Sequence, residues 1–231
     1  MPKKKLVILS GAGMSAESGI QTFRGAGGLW NGYDVMEVAS IEGWYANPKM
    51  VNDFYNERRK NALEAKPNKG HVHLAELEAD YDVQIITQNV DDLHERAGSK
   101  NVLHLHGELF KARSTKDEHL IYPLDGWELK WGDLCELGSQ LRPHIVWFGE
   151  SVPLIHDAIQ LSKSADIFVV IGTSLAVYPA ASLIEFVHPR VTKFIIDPSI
   201  PPIYNIQNIH PIEKGAEEGT FELKKLLKEF Y

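Results

Sequence analysis

The chain has 231 residues, 44% hydrophobic and 24% charged, a composition that can bury a core and suits one domain, or one domain with a substantial insertion. Its 24 Lys and Arg against 31 Asp and Glu give a formal charge of -7, and no basic cluster beyond Lys3 to Lys5 interrupts the acidic average, which argues against a nucleic-acid partner. Apolar runs fall far short of the roughly 20 residues that a membrane helix requires, nothing at the N-terminus resembles a signal peptide, and a single cysteine, Cys135, excludes an internal disulfide. A soluble cytoplasmic protein is expected.

Strands are predicted at residues 6–9, 83–87, 102–105, 144–147, 167–171 and 194–196, each a short aliphatic or β-branched run. Nearly continuous apolar runs of this length suit a parallel sheet covered by helices on both faces, the doubly wound, Rossmann-like α/β pattern. Helices are predicted at 71–79, 155–164, 179–187 and 220–230, the last with Leu223, Leu226, Leu227 and Phe230 on one stripe. Two stretches break the alternation. Residues 34–67 form helical patterns with no strand between them, one starting at Asn47 as N-cap and Pro48 in the first helical position. Residues 113–141 are irregular. These two insertions are expected to build a small second domain over the carboxyl edge of a larger one comprising 1–33, 68–112 and 142–231, with the ligand crevice between them.

The first strand runs straight into Gly11 to Gly19 (GAGMSAESG), a G-x-G-x-x-A loop that opens a helix. Glycines there let the backbone approach a phosphate, and a helix N-terminus supplies free N–H groups and partial positive charge. The alternative is a tight strand-to-helix turn without a ligand. An ordinary dehydrogenase would also place an acidic residue about 20 residues further on. Here that region carries Phe23, Arg24 and a second glycine-rich stretch ending at Trp30, which weakens the dehydrogenase reading. Three more predicted strands end in polar loops: Thr87 to His94, Leu105 to Glu108 and Ile171 to Ser174. His106, followed by Gly107, is placed as a general base because an imidazole of pKa about 6.5 accepts a proton near neutrality. A metal pair with His104 is disfavoured because no carboxylate or cysteine completes it at ligand spacing. His104, His71 and His73 are read as hydrogen-bonded core imidazoles.

Taken in order, Gly11 to Ile20 with Phe23 and Arg24, Gln88 to Asp91 with His94, His106 and Gly107, Phe148 to Glu150, and Gly172 to Ser174 with Val177 and Pro179 resemble a sirtuin. The resemblance spans essentially the whole chain. It is narrower still to the bacterial class III sirtuins, which combine Gly28, Leu29 and Trp30 with a Tyr-x-x-Arg motif. It implies NAD-dependent removal of acyl groups from protein lysine, in which the acyl oxygen attacks the ribose as nicotinamide leaves and O-acyl-ADP-ribose is formed. NAD is then expected against Gly11, Ala12, Gly13, Ser15, Ala16, Glu17, Phe23, Arg24 and Trp30, and against Gln88, Asn89, Val90, Asp91 and His106. Gly172, Thr173 and Ser174 would hold diphosphate and adenosine, with Asp197, Pro198, Ser199 and Ala216 beyond them. His106 and Asn89 are the catalytic candidates. Val146, Trp147, Phe148, Gly149, Glu150 and Val177 are expected at an acyl-lysine substrate added as an extended strand.

Tyr55 and Arg58 stand three apart in the helix that begins at Pro48 and therefore share a face. The plain reading is an arginine that snorkels over apolar surface. The functional reading pairs its planar guanidinium with the distal carboxylate of succinyl- or malonyl-lysine while the Tyr55 hydroxyl donates alongside. Two features depart from the family. The paired cysteines of a structural zinc are missing, with Ser114 where one would stand and only Cys135 later, so no zinc is expected. Tyr122, Leu124, Trp127, Leu129, Trp131 and Leu134 are then expected to hold that module by apolar packing. Asp197 stands where an asparagine is usual, and its charge should favour NAD over NADP. A glycohydrolase or ADP-ribosyltransferase on the same framework and a non-catalytic NAD-binding module are the competing functions. A monomer is expected.

Overall fold

The computed structural model describes residues 2–21, 29–30, 32–200 and 206–230. β1 (Lys5–Ser10) leads into a single helical turn, α1 (Gly13–Ala16), and a short hairpin, β2 (Leu29–Trp30) and β3 (Tyr33–Asp34). Three helices follow, α2 (Val35–Val38), α3 (Ile41–Ala46) and α4 (Pro48–Glu64). The Asn47 side chain accepts from the Met50 amide and Pro48 takes the first turn of α4, where its missing N–H costs nothing. Next come α5 (Lys69–Glu76), β4 (Asp82–Thr87), α6 (Leu93–Arg96), β5 (Val102–His104), β6 (Gly107–Ser114), β7 (Ile121–Pro123) and β8 (Leu141–Ile145). The chain closes with α7 (Ile155–Lys163), β9 (Ile167–Ile171), a 3-10 segment at Ala180–Phe186, β10 (Thr192–Ile196), β11 (Ile209–Ile212) and α8 (Ala216–Phe230).

Six strands form one parallel sheet in the order β11-β10-β9-β1-β4-β5. Because side chains alternate across a strand, Leu6 and Ile8 meet Leu74, Leu223 and Leu227 on one face while Val7 and Leu9 meet Ala158, Leu183 and Ile184 on the other. This is the doubly wound architecture expected from the sequence. The chain leaves β1 toward β4 on one side and returns to β9 on the other, so the strand order reverses at β1. Ser10 pairs with Thr87 and with Ile171, which in turn pairs with Ile196, so four strands end level and their loops rise together.

The predicted strand at 144–147 is not in that sheet. It is β8, an edge strand of a separate antiparallel sheet ordered β7-β6-β8. Pro143, opposite Ala112, cannot donate to a ladder on both sides and confines β8 to an edge. β11 was not anticipated at all, and it too carries a proline, Pro211, at the edge of its sheet. The antiparallel sheet and α2 to α4 share an apolar cluster built from Trp44, Val51, Phe54, Tyr55, Leu109, Ile145 and Trp147.

The stretch 113–141 is not held together by its large apolar side chains alone. Leu129 is buried against Ala112, Cys135 and Leu141, with Tyr122 and Leu124 packed alongside, but Trp131 and Leu134 are exposed. The missing attachment comes from α4. Arg59, fully buried, donates through Nε to Trp127 O at 2.6 Å and through Nη1 to Leu109 O at 3.2 Å. Asn52 and Asn56 both donate to Leu129 O, and Asn56 Oδ1 accepts from the Leu129 amide. Removing Arg59 strands two backbone carbonyls, each costing roughly 1–3 kcal/mol when buried and unsatisfied. Arg59→Met is therefore expected to lower stability by about 2–4 kcal/mol in denaturant melts. A loss below about 0.5 kcal/mol, typical of a surface change, would show that these bonds do not anchor the module.

Candidate active site

The loops that follow β1, β4, β9 and β10 surround one cavity of about 520 Å3 that continues between the two sheets. Its floor is backbone. The Gly13 amide donates to Gly172 O at 2.8 Å, and the Gly11 amide donates to Ile171 O at 3.0 Å. A Cβ on Gly13 would lie 2.7 Å from Gly172 Cα, and one on Gly172 would lie 2.3 Å from the Met14 nitrogen. Gly172 also holds φ +62, in the left-handed region that side chains disfavour. The two loops thus touch main chain to main chain and leave a wall with few side chains, a cradle that fits a dinucleotide diphosphate.

Above that floor lies a directed chain of hydrogen bonds. Asn89 Nδ2 donates to Ser15 Oγ at 3.1 Å, and Ser15 Oγ donates to Asp91 Oδ2 at 3.1 Å. The other Asp91 oxygen accepts from the Leu93 amide at 3.2 Å. Burial raises the Asp91 pKa, opposed by these two donors. Spending its N–H bond on Ser15 leaves Asn89 its side-chain oxygen as an acceptor. Gln88 Nε2 donates to Thr173 Oγ1 at 3.2 Å, tying the β4 loop to the β9 loop.

His106 stands in the turn between β5 and β6. Its backbone carbonyl accepts from the Val146 amide at 2.9 Å, and Gly107 at φ +83 lets the chain pass so close to β8 that a Cβ there would sit 2.1 Å from His144 O. Nδ1 lies 3.1 Å from Gln88 O. A carbonyl only accepts, so Nδ1 carries the proton and Nε2 is left with its lone pair. Burial pushes the His106 pKa below the ordinary imidazole value, against the Gln88 contact, so the ring is neutral at pH 7. His104 behaves differently: its Nε2 meets Glu95 at 2.7 Å and its Nδ1 meets Asn89 O. Burial disfavours its charge, but the Glu95 carboxylate prevails and raises its pKa. His71 and His94 are buried, and burial lowers both pKa values, His71 to about 4. The core readings of His71 and His104 agree with these surroundings.

Tyr55 and Arg58 reach the same cavity from α4. The Tyr55 hydroxyl accepts from Trp147 Nε1 at 2.9 Å, which leaves its own hydrogen free to donate. Trp147 is fixed in turn: its amide donates to Glu150 Oε2 at 2.9 Å, and the Arg142 guanidinium lies 3.5 Å from its ring centroid. Glu150 is held by Arg142 and Arg113 in a largely buried ion cluster, so its role is to shape the Trp147 to Gly149 turn. The Phe148 amide donates to Ala39 O and its carbonyl accepts from the Ile41 amide. A substrate strand adding at this turn must therefore bond beyond Phe148, whose half-exposed ring is still presented to it.

Of the residues assigned to NAD from the sequence, Gly11, Ala12, Gly13, Ser15, Trp30, Gln88 to Asp91, His106, Gly172 to Ser174 and Asp197 line the cavity, as do all eight assigned to substrate. Phe23 and Arg24 lie outside the described residues. Ala16, Glu17, Pro198, Ser199 and Ala216 do not line it. Glu17 instead accepts from the Glu217 amide at the start of α8, the Ser199 amide donates to Asp197, and Ala216 packs in the core. Gln21, Ala39, Ile145, Val152 and Tyr178 line the cavity without having been anticipated. Ala39 apart, their only sequence signal is proximity to the motifs.

The family model for the Sir2 family matches residues 11–179. A relative from Bacteroides thetaiotaomicron, named NAD-dependent protein deacylase, is 55% identical over 229 residues, covering 97% of this chain and 98% of its own. A solved Sir2 homologue in complex with NAD superposes with a TM-score of 0.88 at 40% identity, covering 98% of this chain and 90% of that one. A mutant Sir2 homologue in complex with 2'-O-acetyl ADP ribose superposes equally well, at 0.88 and 39% identity, covering 98% and 93%. The chain belongs to the Sir2 family.

Among the described residues no donor set matches the structural zinc expected of the family. The Cys135 thiol lies 3.3 Å from Ser114 Oγ and 3.2 Å from Ser139 Oγ, and the two serines are 2.9 Å apart. Among the described residues no three His, Cys, Asp or Glu side chains gather at a metal distance. One thiolate with two hydroxyls does not fit tetrahedral zinc. Purified protein is expected to carry zinc well below one equivalent and to melt at the same temperature with and without chelator. One equivalent retained through chelation would contradict this.

Proposed function

We propose that this sirtuin is an NAD-dependent protein-lysine deacylase that prefers acidic acyl groups, succinyl and malonyl, over acetyl, and that passes the acyl group to ADP-ribose. The observation that carries the preference is Arg58. Its guanidinium lines the cavity with no hydrogen bond or salt bridge among the described residues, and its buried Nε has no partner. Burial lowers its pKa to about 10, so it remains a cation at neutral pH. The Asp91 carboxylate favours its charge from a distance without forming an ion pair with it, and a desolvated cation that lacks a direct ion pair is costly. A carboxylate entering beside Tyr55 supplies that anion, and the Tyr55 hydrogen adds a second donor. The relative solved with 2'-O-acetyl ADP ribose supports the transfer to ADP-ribose.

Bound NAD supplies a ribose carbon that gains positive character as nicotinamide departs, and the ribose hydroxyl that receives the acyl group. The chain's own groups serve those needs. Asn89, oriented through Ser15 by Asp91, presents an acceptor oxygen to positive charge. Trp147, Ile145 and Val90 wall the cavity with apolar surface that keeps water from the reacting centre. His106, neutral and with Nε2 unprotonated, takes the hydroxyl proton. Asp197, at the end of β10, lines the cavity and opposes a second phosphate on a nearby ribose, consistent with NAD rather than NADP.

Arg58→Met is expected to lower the ratio of kcat/KM for succinyl- over acetyl-lysine peptide by roughly 30-fold or more, because a buried charge pair is lost only with the acidic substrate. Equal losses on both substrates would sink the assignment. His106→Ala should reduce kcat by roughly 10²–10⁴-fold. In wild type, burial of His106 places the acid limb of kcat below the pKa of about 6.5 of a free imidazole, activity falling as pH drops through it. An acid limb above that value would point to a different base.

A further inference from the structure

Arg58 has a partner that the acyl-group reading does not use. Its guanidinium carbon lies 3.8 Å from the centroid of the Trp30 ring, and the same cation sits 5.9 Å from the Phe54 ring. Trp30 and Phe54 meet edge to face at 5.4 Å, and Tyr33, which pairs with Trp30 across the β2–β3 hairpin, meets Phe54 edge to face at 5.6 Å. Trp30 lies far from α4 in sequence, yet it and Arg58 line the same cavity.

We propose that Trp30 is a positioning residue for acyl-group specificity: its ring holds the Arg58 guanidinium flat so that the in-plane N–H edge faces an acidic acyl group. The inference rests on the acidic-acyl reading of Arg58 and adds a residue to it.

An arginine side chain has many rotamers, and restricting them on binding costs free energy. Arg58 makes no hydrogen bond or salt bridge among the described residues that would fix it beforehand. Among the described residues its constraint is the Trp30 ring, with the guanidinium carbon 3.8 Å from the centroid, a position over an indole that attracts a cation and strengthens away from water. Stacking uses the face of the guanidinium and leaves its edge, the part that bonds a carboxylate bidentately, available. Phe54 supports the indole from the side, and Val51, Phe54 and Tyr55 are themselves locked in the core of the small unit. A neutral acetyl group makes no use of that edge. Loss of the stack therefore weakens acidic substrates selectively, whatever Trp30 also contributes to the cofactor side of the cavity.

The test measures kcat/KM on succinyl- and acetyl-lysine peptides at saturating NAD for wild type, Trp30→Leu, Trp30→Phe, Arg58→Met and the Trp30→Leu/Arg58→Met double variant. The readout is the succinyl-to-acetyl ratio, because Trp30 lines the cofactor cavity and its loss can slow both reactions. Trp30→Leu is expected to lower the ratio about tenfold, chiefly by raising KM for the succinyl peptide. Trp30→Phe, which keeps a ring face, should stay within about threefold of wild type. In the Arg58→Met background, Trp30→Leu should leave the ratio unchanged, since the group it positions is gone. Equal slowing of both substrates by Trp30→Leu, with Arg58→Met still selective, would overturn the proposal and leave Trp30 a cofactor residue. So would a further tenfold fall in the double variant. A nonselective Arg58→Met would instead remove the acidic-acyl reading beneath it. Should Trp30→Leu fail to melt cooperatively, Trp30→Met, closer in volume, reads the same ratio.

Discussion

The active cavity depends on two backbone loops touching where parallel strands end level. Gly13 and Gly172 meet so closely that no side chain fits on either, and their contact joins the loop after β1 to the loop after β9. The register of Ser10 with Thr87 and Ile171 sets that meeting, because it brings the Gln88 to Asp91 loop to the same height. From it follow the bond between Gln88 and Thr173, the Gln88 carbonyl that fixes the tautomer of His106, and the line from Asn89 through Ser15 to Asp91. A shift of one residue in any of these strands would turn the loop's polar side chains to the wrong face.

The second organising element is α4, which works on two sides. Tyr55 and Arg58 face the cavity, while Asn52, Asn56 and Arg59 bond the backbone of the irregular 113–141 stretch. In a sirtuin without the zinc cysteines this polar grip, together with the small cluster around Leu129 and Cys135, keeps that stretch in place. The same helix therefore links the scaffold of the small unit to the proposed acyl pocket. Trp147 joins the two, since it packs with Trp44 and Tyr55, stacks under Arg142 and donates to the Tyr55 hydroxyl.

How much of this could be read in advance varied with the range of the interaction. The strands at β1, β4, β9 and β10 announced themselves as apolar runs, and the polar residues at their ends were legible as site candidates because a parallel sheet gathers its carboxyl ends. Helix α4 was legible from Asn47 and Pro48, and its Tyr55 and Arg58 from their shared face. β8 and β11 were not placed, because Pro143 and Pro211 suit edge strands and no local pattern says which sheet has the edge. Arg59 was missed because it adjoins Arg58 and only tertiary structure shows that one turns into the core of the module and the other into the cavity. Trp131 and Leu134 looked like core and proved exposed, since large apolar side chains carry no mark of which will find partners. The Trp30 stack joins residues 28 apart and has no short-range signature.

The measurement that tests the account most directly is nicotinamide release from NAD by the wild-type protein, with matched succinyl-lysine, malonyl-lysine and acetyl-lysine peptides and a control without peptide. Release that requires a peptide and runs faster with the two acidic acyl groups than with acetyl is the result expected from a neutral His106 and a cationic Arg58 in one cavity. Release without peptide would contradict it in favour of glycohydrolysis, and NAD binding without release would reduce the site to a binding module.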